Sequence, residues 1–233
     1  MIIVGLIVLL IVILFIVWRF WFFFRNPNRT IQYNENYILS PADGFIVYIR
    51  KVIPGEDIFA IKKGRKILLD ELMFLDDQEM LNQPGWLIGI CMGPFNVHYN
   101  RAPIEGYITK IKHDFPTTVK SNKTMFPALQ NLFFNLYPYY EGCDYILSNE
   151  RASYTISNHR FKVYVTQIAD NWIRKIVTFR NKEEIKQGDV FGLIRMGSQV
   201  DLFIPDQEKS IEILVNERQK VRAGITILAK LND

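Results

Sequence analysis

The chain is poor in the residues that build metal and redox centres. Its 233 residues include two cysteines, Cys91 and Cys143, and three histidines. The cysteine spacing matches neither a zinc knuckle nor a Cys-x-x-Cys pair, so both thiols are read as reduced packing residues and no metal is expected. No repeat of fixed period is present, and no Gly-x-Ser-x-Gly elbow of the kind that presents a hydrolase nucleophile. Charge of one sign is also scarce. Lys and Arg number 28 against 24 Asp and Glu, a formal net charge of +4. That balance suits an anionic membrane surface but lacks the dense basic patch that nucleic-acid binding needs.

Long apolar runs, by contrast, are plainly there. Ile2 to Trp18 is uninterrupted, and Arg19 is followed by Phe20-Trp21-Phe22-Phe23-Phe24. A helix of this length covers roughly 30 Å at about 1.5 Å per residue, enough to cross a bilayer core. No basic leader precedes the run and no small-residue cleavage site follows it, which disfavours a secretory signal peptide. Residues 1–25 are therefore expected to form a transmembrane anchor, with Trp18 and Trp21 in the interfacial belt. Arg19, Arg25 and Arg29 all follow the span, which places the folded part, residues 26–233, on the cytoplasmic side.

After Pro27 the composition becomes that of a packed soluble domain, 49% apolar and 22% charged over the whole chain. Short runs rich in Val, Ile, Tyr and Phe, bounded by Gly, Pro, Asn or Asp, predict strands over 45–52, 86–92, 106–112, 152–157, 161–168, 173–179, 190–195, 199–204, 211–215 and 226–229. Apolar spacing predicts short helices over 68–81 and 126–136. The expected fold is mainly β (α+β), a sandwich or barrel-like β domain with a few short helices behind one membrane helix. The closing segment also has the strand-turn-strand look of a lipoyl or biotinyl carrier, without a lysine in the tight turn.

Three segments carry chemistry: Ser40-Pro41-Ala42-Asp43-Gly44, Val97-His98-Tyr99-Asn100-Arg101-Ala102-Pro103, and Arg195-Met196-Gly197-Ser198-Gln199-Val200-Asp201. They supply a carboxylate, an imidazole and a hydroxyl, the inventory of a nucleophile with its base and orienter. A serine hydroxyl attacks poorly until a base takes its proton, and a neutral imidazole suits that task near pH 7. A preceding glycine gives the backbone freedom to bend there. On this reading His98 is the base and Asp43 the orienter, while His113 and His159 are surface residues.

In their order, these segments together with Phe24-Arg25-Asn26-Pro27, Asn149-Glu150-Arg151, Gln167-Ile168-Ala169, Phe191-Gly192-Leu193-Ile194 and Val221-Arg222-Ala223-Gly224 resemble the phosphatidylserine decarboxylases over nearly the whole chain. The resemblance implies self-cleavage between Gly197 and Ser198 and conversion of Ser198 into a covalent pyruvoyl group, with no diffusible cofactor. That group would serve as electron sink while phosphatidylserine loses carbon dioxide to give phosphatidylethanolamine. The two cleaved fragments would stay together as a heterodimer, and a homo-oligomer is left open. Arg101, Arg174 and Arg195, each in or beside a motif, are candidates to bind the substrate's anions. Three departures from the family pattern stand out. Arg101 occupies the place of a second histidine, Gln199 that of an arginine, and the aromatic-rich stretch 113–147 that of a Pro-Gly-Lys-Phe motif. Other readings are the same chemistry on an archaeal-type ether lipid, a non-catalytic membrane-anchored β adaptor, and a serine hydrolase built on Ser198, His98 and Asp43.

Overall fold

In a computed structural model, the chain is described over residues 1–56, 58–61, 65–75, 77–114, 123–170, 176–195, 198–206, 208 and 210–232, the side chains of 59–61, 65–66, 110 and 198 excepted. Residues Ile2–Val17 form an α-helix that continues as a π-helical turn over Trp18–Phe22. An 18-residue window of this 21-residue run has a mean hydropathy of 3.1, and no residue of the window is buried against the protein. A helix apolar on every side needs an apolar solvent, so it is a candidate membrane anchor. Its foot is not loose. Phe23 is fully buried, and Trp18 and Phe22 make ring contacts with Phe95.

Eight antiparallel strands form the central sheet, in the spatial order Glu184–Ile185, Gly106–Asp114, Arg151–Ser157, Lys162–Ala169, Ser198–Pro205, Gly85–Met92, Gly44–Val52 and Lys220–Val221. Strand alternation sends Ile88, Ile90 and Met92 to one face and Leu87 and Cys91 to the other, and the same split divides Val200 and Leu202 from Gln199, Asp201 and Phe203. The first face packs on two three-stranded sheets. One joins Tyr37–Leu39, Ile227–Leu231 and Ile211–Ile213; the other joins Ile176–Thr178, Val190–Ile194 and Tyr99–Arg101. The second face is covered by Leu69–Met73, Gln78–Leu81, Phe126–Phe134 and Tyr145–Ser148, all helical. The outcome is the expected mainly β architecture in its sandwich form. No closed barrel occurs among the described residues.

The expected helix over 68–81 is instead two. Phe74 takes a left-handed conformation at φ 54° and ends the first, and Asp77 caps the second by accepting a hydrogen bond from the Met80 N–H. The strand expected over 173–179 is seen as Ile176–Thr178, residues 171–175 lying outside the described part. Both cysteines are free and buried, and burial pushes their thiols toward the protonated form, Cys143 up to about 12. They behave as the packing residues expected of them.

Candidate active site

Asp43 sits at the end of a turn in which the Ser40 hydroxyl donates to the Ala42 carbonyl at 2.7 Å. Glycine must follow it, because a Cβ at position 44 would lie 2.3 Å from the Cys91 carbonyl oxygen. The Asp43 carboxylate accepts two hydrogen bonds from Arg29, at 2.6 and 2.9 Å, and a third from the Ala223 N–H at 2.8 Å. Arg29 also donates to the Ala223 carbonyl. One bidentate ion pair thus ties together the segment that follows the apolar helix, the Asp43 turn and the Val221-Arg222-Ala223-Gly224 segment. The two side chains are 8% and 11% exposed. Replacing Arg29 with alanine strands a nearly buried carboxylate, so Arg29→Ala is expected to cost about 3–5 kcal/mol in urea unfolding. A loss below about 1 kcal/mol would show that water reaches Asp43 freely.

His98 ends a tight loop that begins at Gly93, whose N–H is capped by the Asn96 side chain at 2.8 Å. The imidazole is fully buried and stacks on Phe23 with ring centroids 4.1 Å apart. Its Nδ1 lies 3.0 Å from the Asn96 carbonyl oxygen. A carbonyl only accepts, so Nδ1 carries the proton and Nε2 presents its lone pair. Nε2 is buried and has no hydrogen-bond partner among the described residues. Burial is the main reason the imidazole pKa falls to about 4; Arg25 lowers it further, while the Asn96 carbonyl and Asp43 oppose. At pH 7 the ring is neutral, the form that can take up a proton.

No hydrogen bond joins Asp43 to His98 among the described residues, and the Ser198 side chain lies outside them. Asp43 feels His98 electrostatically, but its hydrogen bonds go to Arg29 and Ala223, and the group that orients the imidazole here is the Asn96 carbonyl. Sequence pattern could not reveal this, because the orienting atom belongs to the backbone.

Ser198 opens the strand Ser198–Pro205, where its backbone lies between Met92 and Ala169. Four residues earlier the Ile194 N–H donates to the His98 carbonyl at 3.1 Å. The connection holding the Gly197–Ser198 bond is thus pinned at both ends to the stretch from Met92 to His98. Gly197 itself lies outside the described residues, as does Arg174. Gln199 is buried on the helical face, where its amide accepts from the Tyr145 hydroxyl and donates to Tyr48 Oη at 2.9 Å and to Asp201 Oδ1 at 2.7 Å. Gln199 thus uses both ends of its amide, whereas a guanidinium there would have no acceptor to offer the Tyr145 hydroxyl.

Of the three arginines expected to bind the substrate's anions, Arg101 and Arg195 lie among the described residues. Arg101 donates to the Gly188 carbonyl and to Asn26 Oδ1, so it braces the anchor's exit segment. Arg195 is exposed at the end of its strand. His113, read from sequence as a surface residue, is half-buried with Nε2 2.9 Å from the fully buried Glu150, whereas His159 is exposed as expected.

A cavity of about 490 Å³ lies beside Asp43, lined by Arg25, Arg29, Asn96, Lys220 and Arg222 among others. Four cations face one carboxylate there. Sequence reasoning missed Lys220, Arg222, Arg29 and Asn96. It also missed the buried pair in which Gln167 Nε2 donates to Asn100 Oδ1 at 2.6 Å, leaving Gln167 Oε1 with no partner among the described residues. The signal was there for that pair, since each residue falls inside one of the quoted motifs. A Cβ at Gly192 would come within 2.7 Å of the Gln167 amide, which explains the glycine of Phe191-Gly192-Leu193.

The described part is thus an open β sandwich behind an N-terminal apolar helix, with a buried neutral imidazole whose main-chain carbonyl holds the end of the strand that leads toward Ser198. The family model described as phosphatidylserine decarboxylase matches residues 16–229, and the chain belongs to that family. It is 30% identical to the phosphatidylserine decarboxylase proenzyme of Prosthecochloris aestuarii, over 90% of this chain and 76% of the relative. The proenzyme of that name in Carboxydothermus hydrogenoformans is also 30% identical, over 90% of this chain and 78% of the relative. A protein of Methanocaldococcus jannaschii, provisionally named archaetidylserine decarboxylase proenzyme, is 33% identical over 89% of this chain and 87% of the relative.

Proposed function

We propose that this protein is a membrane-anchored decarboxylase of serine phospholipids that makes its own pyruvoyl group at Ser198. The observation that carries the reading is that the chain on either side of the Gly197–Ser198 bond is held to Met92 and to the His98 carbonyl, and that the His98 Nε2 is buried, unprotonated and without a partner among the described residues. The Ser198 hydroxyl attacks the Gly197 carbonyl as His98 Nε2 takes its proton, and the amide becomes an ester. Loss of the Ser198 α-proton then expels the Gly197 carboxylate. Water adds to the dehydroalanine, ammonia leaves, and a ketone remains at position 198.

Once formed, the pyruvoyl carbonyl supplies an electrophile for the substrate amine and a sink for the electrons that carbon dioxide leaves behind. The residues present fit such a group, for the strand it would head stays anchored on both sides. Strand Ser198–Pro205 is central in the sheet, and both neighbours, Gly85–Met92 and Lys162–Ala169, belong to the larger fragment. Scission therefore leaves a heterodimer held by two full ladders. With a pKa near 4, His98 serves as proton acceptor rather than standing acid.

The positive residues after the apolar helix argue for a cytoplasmic domain behind an anchor spanning residues 1–25. The serine headgroup is common to the bacterial and the archaeal-type lipids, so the 33% identity to the methanogen relative favours a site that reads the headgroup.

Intact-mass analysis of the wild-type chain tests the reading. Two species are expected, residues 1–197 and a fragment beginning at 198 that resists Edman chemistry and gains mass with borohydride. A single 27.4 kDa chain from folded, membrane-inserted protein would sink it.

A further inference from the structure

We propose that Lys220 and Arg222 hold the phosphodiester of the lipid substrate, an assignment that rests on the decarboxylase reading above. Lys220 and Arg222 flank the buried Val221, so in this extended stretch they project to one side, and Val221 pairs with Gly44, the neighbour of Asp43. Both cations are exposed and border the 490 Å³ cavity, a volume suited to a small ligand. Neither side chain has a hydrogen bond or ion pair among the described residues. The other arginines nearby are engaged: Arg29 with Asp43, and Arg101 with Gly188 and Asn26.

The cavity lies at the foot of the membrane helix. Arg25 follows that helix by three residues, and its guanidinium donates to the Phe22 and Phe95 carbonyls while lying 3.8 Å from the centroid of the Phe22 ring. An anion at headgroup depth in the bilayer is thus within the cavity's reach without the lipid leaving its leaflet.

The charge of the substrate decides which of its anions these cations serve. A serine phospholipid carries a phosphodiester, a carboxylate and an ammonium, net −1; its decarboxylated product is a zwitterion. Cations gripping the carboxylate would stabilise a charge that must vanish at the transition state and would slow the reaction. Cations on the phosphodiester hold a group that does not change, which lowers KM and leaves kcat alone.

The test uses full-length, self-cleaved protein in detergent and in vesicles. Lys220→Glu and Arg222→Glu are each expected to raise KM about tenfold and the pair about a hundredfold, with kcat within twofold and cleavage unchanged. Soluble glycerophosphoserine, titrated by calorimetry, is expected to bind wild type and to lose about tenfold or more in affinity in the double variant. Unchanged KM and unchanged glycerophosphoserine binding overturn the proposal. A rise in kcat reassigns the cations to the carboxylate and overturns it too. Loss of vesicle sedimentation alone, with headgroup binding intact, makes them surface attractants and likewise overturns it. Wild-type protein that binds glycerophosphoserine through Lys220 and Arg222 yet releases no carbon dioxide keeps the site and discards the reaction.

Discussion

Ser198→Ala is expected to remain one chain of 233 residues with no decarboxylase activity, and His98→Gln to cleave at least a hundredfold more slowly than wild type. The two arrests differ in cause. Alanine removes the oxygen that must attack the Gly197 carbonyl and then leave with it as a carboxylate, so no condition restores cleavage. Glutamine keeps bulk and polarity at position 98 but has no lone pair basic enough to take a proton, and positioned general bases contribute about 10²–10⁴-fold. Added imidazole is expected to rescue His98→Ala partially, since alanine vacates the volume of the ring, and Ser198→Ala not at all. Near wild-type cleavage in His98→Gln would remove the imidazole from the first step and leave backbone strain at Gly197 to drive it.

Asn96 gives this prediction a second edge. It positions His98 through its main-chain carbonyl, while its side chain caps the Gly93 N–H. Replacing the Asn96 side chain therefore acts on the loop and reaches the imidazole only indirectly.

The elements that were legible in the sequence share one property: their burial pattern is local. Strands 44–52, 85–92, 106–114 and 151–157 follow from β-branched and aromatic runs between turn residues, and the N-terminal apolar helix from an unbroken apolar stretch. The strand pairs Tyr99–Arg101 and Lys220–Val221 did not announce themselves, because two or three residues carry no period. The site divides in the same way. Asp43, His98 and Ser198 were legible as chemistry-bearing residue types in turn-flanked motifs. The partnership of Asp43 with Arg29 was not, since it depends on how the anchor's exit segment folds back over the turn and the C-terminal segment. The cationic cavity was hidden for the same reason: it joins residues near position 25 to residues near position 220.

The second large effect concerns pH, where two buried groups act with opposite sign. His98, fully buried, has its pKa lowered from 6.5 to about 4. The unfolded chain takes up a proton below pH 6.5 that the folded chain refuses, so this stabilisation is complete above 6.5 and is lost as pH falls toward 4. Asp201 accepts hydrogen bonds on Oδ1 from Tyr48 and Gln199, but its Oδ2 is buried with no partner among the described residues. Burial raises its pKa from 3.8 to about 7, against the lowering influence of those two hydrogen bonds and of Arg151. Here the folded state keeps a proton the unfolded state has shed, so stability is complete below 3.8 and is lost as pH rises through 7.

Each effect is on the order of 3–4 kcal/mol. Between pH 4 and 6.5 the two slopes nearly cancel in the wild-type chain. Asp201→Asn removes one of them. In the uncleaved Ser198→Ala background, where unfolding involves a single chain, Asp201→Asn is expected to lose on the order of 3 kcal/mol more than its parent between pH 6.5 and 4, read from urea midpoints in detergent. His98→Gln in that background is expected to tilt the other way, being relatively more stable at pH 4 than at pH 7. Taking differences from the parent cancels the other carboxylates. Parallel pH profiles for all three proteins would mean that water reaches both groups and that neither is held uncharged by the fold.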